Sequence, residues 1–138
     1  MTIIVCLDKN NGYQFGGKRQ STDRELRKKI LELADEIRCD EYTASQFEED
    51  EKDKLYVCDD YLNTINGTCF IEKGDVSNIS YDKLVVFWWN RSYPTTKKFI
   101  IPQGFKSVSK ENFKGYSHDK ITMEIFTKWD ILQSFLQH

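Results

Sequence analysis

The sequence predicts an α/β fold: a single domain on a mixed, mostly parallel sheet flanked by helices, with an antiparallel ribbon at its end. Three observations carry this reading. Thr2–Leu7 and residues 83–89 are nearly continuous apolar runs, the pattern of strands buried on both faces, as parallel sheets require. Strands alternate with helical patterns in the first half, whereas strands dominate the second half. The 138 residues, 39% of them hydrophobic, can bury a core without disulfide or metal staples, so 1–138 reads as one domain.

The elements follow in order. The first strand ends at Asp8-Lys9-Asn10-Asn11-Gly12, turn chemistry in which Asn and Gly tolerate positive φ. Gly16 and Gly17 break the chain before a helix capped by Ser21 or Thr22, with Asp23 and Glu25 in its first turn. Leu26, Ile30, Leu33 and Ile37 form its apolar stripe. An extended start after Ile37 gives way to a short helical turn at 43–47, and the acidic run 48–53 reads as a solvated loop. A strand at 55–58, a capped short helix at 59–65, a strand at 68–72 and a loop at 74–80 come next. Residues 83–89 read as the central strand. Phe99-Ile100-Ile101 and 121–126 complete the sheet, and 129–136 carries apolar residues at 129, 132, 135 and 136, a terminal helix.

Composition removes several function classes. A formal net charge of −2 gives no field for nucleic-acid binding. The apolar runs are too short for a membrane span or a signal peptide. Cys6, Cys39, Cys58 and Cys69 form no C-x-x-C pair, against a zinc ribbon or thioredoxin motif, and free thiols favour a cytoplasmic location. No cofactor or metal is expected. The aromatic content of 14% must be buried somewhere, which points to a homodimer.

Four motifs, K-R-Q-S-T-D-R (18–24), Y-T-A-S-Q-F (42–47), W-N-R-S-Y-P (89–94) and S-H-D-K-I-T-M-E (117–124), resemble a family of small Firmicutes proteins of about this length. Members often carry the label ribonuclease Z. That chemistry needs a His and Asp cluster holding two metal ions, and the 2 His here, His118 and His138, cannot build one. The chain layout also resembles dihydrofolate reductase, from the first strand and its D-K-N-N-G turn to the late strands. The resemblance implies that fold, with Asp23 where the family keeps the carboxylate that binds a pteridine ring. The family's Leu-Pro-Trp loop is Gly17-Lys18-Arg19-Gln20 here, and Asp40-Glu41-Tyr42-Thr43 stands at its Gly-Arg-x-Thr junction. Its paired glycines are replaced by Phe70-Ile71-Glu72-Lys73-Gly74-Asp75, an acidic loop that repels a pyrophosphate. Hydride transfer from NADPH is not expected.

Two clusters carry the functional reading. Lys18, Arg19, Gln20, Ser21, Asp23 and Arg24 bunch at a glycine-flanked helix start, either an anion site or a solvated turn pairing with Asp23 and Glu25. Trp89, Asn90, Arg91 and Tyr93 follow the strongest strand. Trp88 and Trp89 face opposite sides of that strand, so one of them lines a cleft or an interface, or else packs under the terminal helix. Tyr42, with Thr43 and Ser45, offers hydroxyls near a strand end. His118 has no partner visible in the sequence, and beside Ser117 it makes no triad, so it reads as a hydrogen-bonded loop histidine or a ligand contact.

Together these features predict a non-catalytic protein that binds a nucleotide-like or other anionic, planar small molecule, as a sensor or sequestering protein. One alternative is a protein-interaction module, such as an immunity or inhibitor protein whose acidic Glu48, Glu49 and Asp50 meet a basic toxin. The other is a divergent reductase-like enzyme using Asp23 as acid or base.

Overall fold

The computed structural model describes residues 1–136, with side chains through Ile131 and at Gln133. Its strands are β1 Thr2–Leu7, β2 Gly12–Gln14, β3 Ile37–Cys39, β4 Leu55–Val57, β5 Thr68–Phe70, β6 Lys83–Trp88, β7 Lys97–Lys98, β8 Phe105–Phe113 and β9 Ile121–Lys128. The α-helices are α1 Arg24–Glu32, α2 Glu41–Ala44 and α3 Trp129–Leu136, and the run 48–53, expected as a solvated loop, ends in a 3-10 turn at Glu51–Lys54 whose Glu51 pairs with Arg27. Seven strands form one sheet in the order β4-β3-β5-β1-β6-β9-β8. Pairing is parallel from β4 to β6 and antiparallel where β9 meets β6 and β8. The fold is therefore the mostly parallel α/β sheet that the sequence predicts.

β1 holds the middle position, and its alternating side chains feed two cores. Ile3, Val5 and Leu7 point into one, Ile4 and Cys6 into the other. Each fully buried aliphatic side chain contributes about 1.5–3 kcal/mol through removal of its surface from water. The core with Ile4 is roofed by α1 through Leu26 and Ile30. The opposite core meets loops and a small ribbon through Tyr13, Val76, Tyr81 and Phe99. That asymmetry leaves room for the concavities described below.

Several expected elements take another form. Asp23, rather than Ser21 or Thr22, caps α1, because its carboxylate accepts the backbone N–H groups of Glu25 and Leu26. The helix stops at Leu33, its C-cap, so Ile37 of the expected stripe starts β3 instead. Residues 59–65 form turns, not a helix, and the Arg38 side chain binds the Tyr61 and Asn63 carbonyls. Residues 99–101 lie outside the sheet: the chain pairs at β7 with β2 in a separate two-stranded ribbon. β1 is the middle strand of the seven, with β6 beside it. β8 has no apolar alternation to announce it, because most of this edge strand is exposed. α3 forms as expected, although its apolar side chains at 132, 135 and 136 lie outside the described residues.

The parallel strands β1, β3, β5 and β6 all end at one edge of the sheet, and β9 begins there. The loops 8–23, 71–74, 89–96 and 114–120 therefore converge. In open α/β sheets this carboxyl edge is where ligands bind.

Candidate ligand cleft at the carboxyl edge

Three knots of side chains organise this edge. The first is Asp8, 1% exposed at the end of β1. Its Oδ1 accepts the N–H groups of Asn10 (2.8 Å) and Gly12 (2.7 Å), and Oδ2 accepts those of Tyr93 (3.1 Å) and the Thr95 hydroxyl (3.3 Å). Burial opposes its ionisation, but the donors from Tyr93, Gly12, Asn10 and Thr95 outweigh it and hold the carboxyl below its usual range. A Cβ at Gly12 would stand 2.4 Å from the Thr95 hydroxyl and 2.7 Å from the Asp8 carboxylate, so any larger residue must displace these side chains.

The second knot joins α1 to the loop before β9. Asp23 is 2% exposed. Besides capping α1, it accepts the N–H groups of Tyr116 (2.9 Å) and Ser117 (3.0 Å), the Ser117 hydroxyl (3.2 Å) and His118 Nδ1 (2.8 Å). Burial works against the charge, yet the backbone donors of Tyr116 and Ser117, then His118 and Leu26, hold the carboxyl well below the usual carboxylate range. An ionised carboxylate only accepts, so His118 carries its proton on Nδ1. On the other side Nε2 meets the Ser21 hydroxyl at 3.0 Å, and the ring lies against Trp89, centroids 4.6 Å apart. Ser21, His118 and Asp23 thus have the order of a nucleophile, base and orienting acid. His118 is only 5% exposed, however, and neither cleft described in this structure is lined by Ser21 or His118. The relay fastens two loops together.

The third knot lines a cleft of about 140 Å³. Glu72, just beyond β5, pairs with Arg19, whose Nε stands 3.0 Å from Oε2, and accepts Gln46 Nε2 at 3.0 Å. Burial pushes the Glu72 carboxyl above its ordinary value, and the Arg19 contact opposes that rise without cancelling it. Arg19 also donates to the Tyr42 carbonyl and lies 4.3 Å from the centroid of the Tyr42 ring. Lys73 Nζ stands 3.5 Å from the same centroid. Lys18, Gln20 and Tyr13 also line it. Gln20 donates to the Cys6 carbonyl, and its own carbonyl oxygen is buried without a partner among the described residues.

The predicted residues therefore divide. Lys18, Arg19, Gln20 and Tyr42 come together on the cleft, whereas Ser21, Asp23, His118 and Trp89 form the buried knot. Trp89 is 1% exposed, so it lines no open cleft, and its ring lies against His118. Trp88, half-buried, donates to Glu124 at 3.1 Å. Asn90 takes positive φ (61°) and binds Thr122 Oγ1 and the Lys120 carbonyl. Arg91 is exposed, Tyr93 packs edge-on to Phe15, and Arg24 lies over the Tyr116 ring. Sequence reasoning missed Asp8, Glu72 and Lys73. A carboxylate directly after an apolar strand, as in Leu7-Asp8 and Ile71-Glu72, was the available signal. Among the described residues no three His, Cys, Asp or Glu side chains gather in a group that could hold a metal. No described helix is long and apolar enough to cross a membrane.

No family model matches this chain, and no curated protein does. Among solved structures it is similar to a dihydrofolate reductase from Enterococcus faecalis, complexed with NADP(H) and RAB-propyl. The two share 10% identity at a TM-score of 0.62, over 92% of this chain and 95% of that one. The likeness shows a dihydrofolate reductase-like fold.

Proposed function

We propose that this protein binds, without turnover, a nucleotide-like or other planar anionic small molecule in the cleft between the 18–20 loop, Tyr42 and the Glu72-Lys73 turn. The carrying observation is the convergence of Lys18, Arg19 and Lys73 around a single carboxylate, Glu72, whose charge burial disfavours. That excess of cations at a sheet's carboxyl edge attracts an anion. Tyr42, stacked by both cations, holds Arg19 and Lys73 side by side at the cleft. The volume suits one ring or charged group of the ligand, with the rest extending along the edge towards Arg91 and Tyr93. Asp23, its acceptor positions filled by protein donors, serves as a fastening for the cleft rather than as an acid or base. A cytoplasmic role as a sensor or sequestering protein fits this reading, as does a homodimer.

Calorimetric titration with nucleoside monophosphates, cyclic nucleotides, NADP and folate tests the proposal. One member is expected to bind stoichiometrically, with affinity falling about tenfold or more for Lys18→Glu combined with Lys73→Glu. The same protein mixed with NADPH and dihydrofolate is expected to leave the cofactor absorbance unchanged. Steady NADPH consumption would replace this reading with the reductase-like one. A protein-interaction role has one specific observation in its favour: the exposed Glu48, Glu49 and Asp50 precede in the chain the edge strand β4, whose Tyr56 and Val57 are 40% and 47% exposed. In that case reversing the three acidic charges abolishes capture of a basic partner and leaves nucleotide titrations unaffected.

A further inference from the structure

The larger of the two concavities lies beside the core that Tyr13, Tyr81 and Phe99 serve. It is a groove of about 540 Å³ between the 74–81 loop, β7 and the start of β8. Such a volume lies in the range of small-molecule sites. Its walls are largely apolar, from Val76, Ile79, Tyr81, Phe99 and Phe105. Ring contacts fix two of these walls: Tyr81 meets Phe105 at 5.2 Å and Tyr13 meets Phe99 at 5.5 Å. The polar features are distributed unevenly. Lys97 and Lys98, both exposed, stand opposite β2 and so straddle Tyr13, which also lines the groove. The Tyr13 hydroxyl is buried and has no hydrogen-bond partner among the described residues. At the other end Lys128 is directed to Ser80, 3.5 Å away. Among the described lining residues Asp75 is acidic, against three lysines, Lys97, Lys98 and Lys128.

We infer that this groove binds a single-tailed amphipathic carboxylate, its chain along the Val76 to Phe105 wall and its head at the Tyr13, Lys97 and Lys98 end. The apolar wall favours burial of methylene groups, and the lysine excess selects an anion over an amine or a neutral alcohol. A two-tailed phospholipid exceeds the groove. The site is separate from the cleft at the carboxyl edge, although Tyr13 belongs to the walls of both.

Titration of the full chain with sodium decanoate, below its micelle concentration, tests the inference against decanol as the uncharged counterpart. A single saturable site is expected, with decanol about 10-fold weaker. Lys97→Glu with Lys98→Glu, two exposed substitutions, is expected to weaken decanoate about 10-fold while decanol is unchanged. Gln103→Trp, placed on the exposed rim, is expected to block both, with the melting temperature of each variant within a few degrees of the parent. Equal affinity for decanoate and decanol would overturn the inference. So would charge reversal without effect, or adsorption to phosphatidylglycerol vesicles without a saturable decanoate site. Lys18→Glu with Lys73→Glu leaves decanoate binding intact, so failure of the nucleotide cleft and failure of this groove are read separately.

Discussion

Asp23 and Glu72 are two carboxylates at the same edge of the sheet, both nearly buried, with opposite electrostatic fates. Asp23 accepts from four backbone N–H groups, a hydroxyl and an imidazole, and its carboxyl lies well below the usual range. Glu72 has Arg19 and Gln46 as its close donors, and burial wins, so its carboxyl is raised. Burial alone therefore does not set the charge of a carboxylate; the number and alignment of donors decide it. The saturated site is a fastening. The undersupplied one sits on a cleft with cations around it, where a ligand can complete what the protein leaves open.

The sharpest way to break this comparison is Asp23→Ala. It uncaps α1 and leaves the Tyr116 and Ser117 N–H groups and His118 without their acceptor, so a loss of about 3–5 kcal/mol is expected in urea unfolding. A loss below about 1 kcal/mol would mean that the two carboxylates differ less than their donors suggest. Gly12→Ala tests the third carboxylate, Asp8, by driving a methyl into its partner Thr95. Overpacking of about 1–3 kcal/mol is expected in the same assay.

The pH dependence separates Asp23 from Glu72 by sign. The depressed Asp23 group contributes stability that is present above its unfolded value, near 3.9, and lost as pH falls through its lower folded value. Glu72, raised in the folded state, does the reverse. From its unfolded value near 4.3 upwards, ionisation costs folded-state stability until pH passes its folded value. Urea midpoints between pH 4 and pH 7 are therefore expected to rise more steeply in Glu72→Gln than in the parent. An unchanged or flatter slope would show that Arg19 pairs fully with Glu72. The smallest effect belongs to Lys73→Ala: stability within about 0.5 kcal/mol of the parent, with weaker binding of the anionic ligand. A change in stability without a change in affinity would place Lys73 outside the binding site.

Much of the fold was legible in the chain. Thr2–Leu7 and the run from Lys83 to Trp88 have to be interior strands, because only a sheet covered on both faces hides that many consecutive apolar side chains. Leu26 and Ile30 mark the buried face of α1 through their spacing. β8 was not legible, since an exposed edge strand has no burial to impose a pattern. The helix expected at 59–65 failed for a related reason: short polar segments take their shape from tertiary partners, here the Arg38 side chain.

The candidate site was legible only as a list of chemically able residues near the chain's turns. Lys18, Arg19 and Tyr42 share a cleft because β1, β3 and β5 run parallel and end at the same edge, which the tertiary pairing decides. His118 meets the neighbouring Ser117 hydroxyl at 3.1 Å, but Asp23, 95 residues away, becomes its charged partner only through folding. The sequence by itself determined which segments must be buried, since hydrophobicity and its period are local properties of the chain. Only the tertiary structure decided which carboxylate meets enough donors to stay charged and which is left to a cleft, because hydrogen bonds and desolvation depend on neighbours that are distant in sequence.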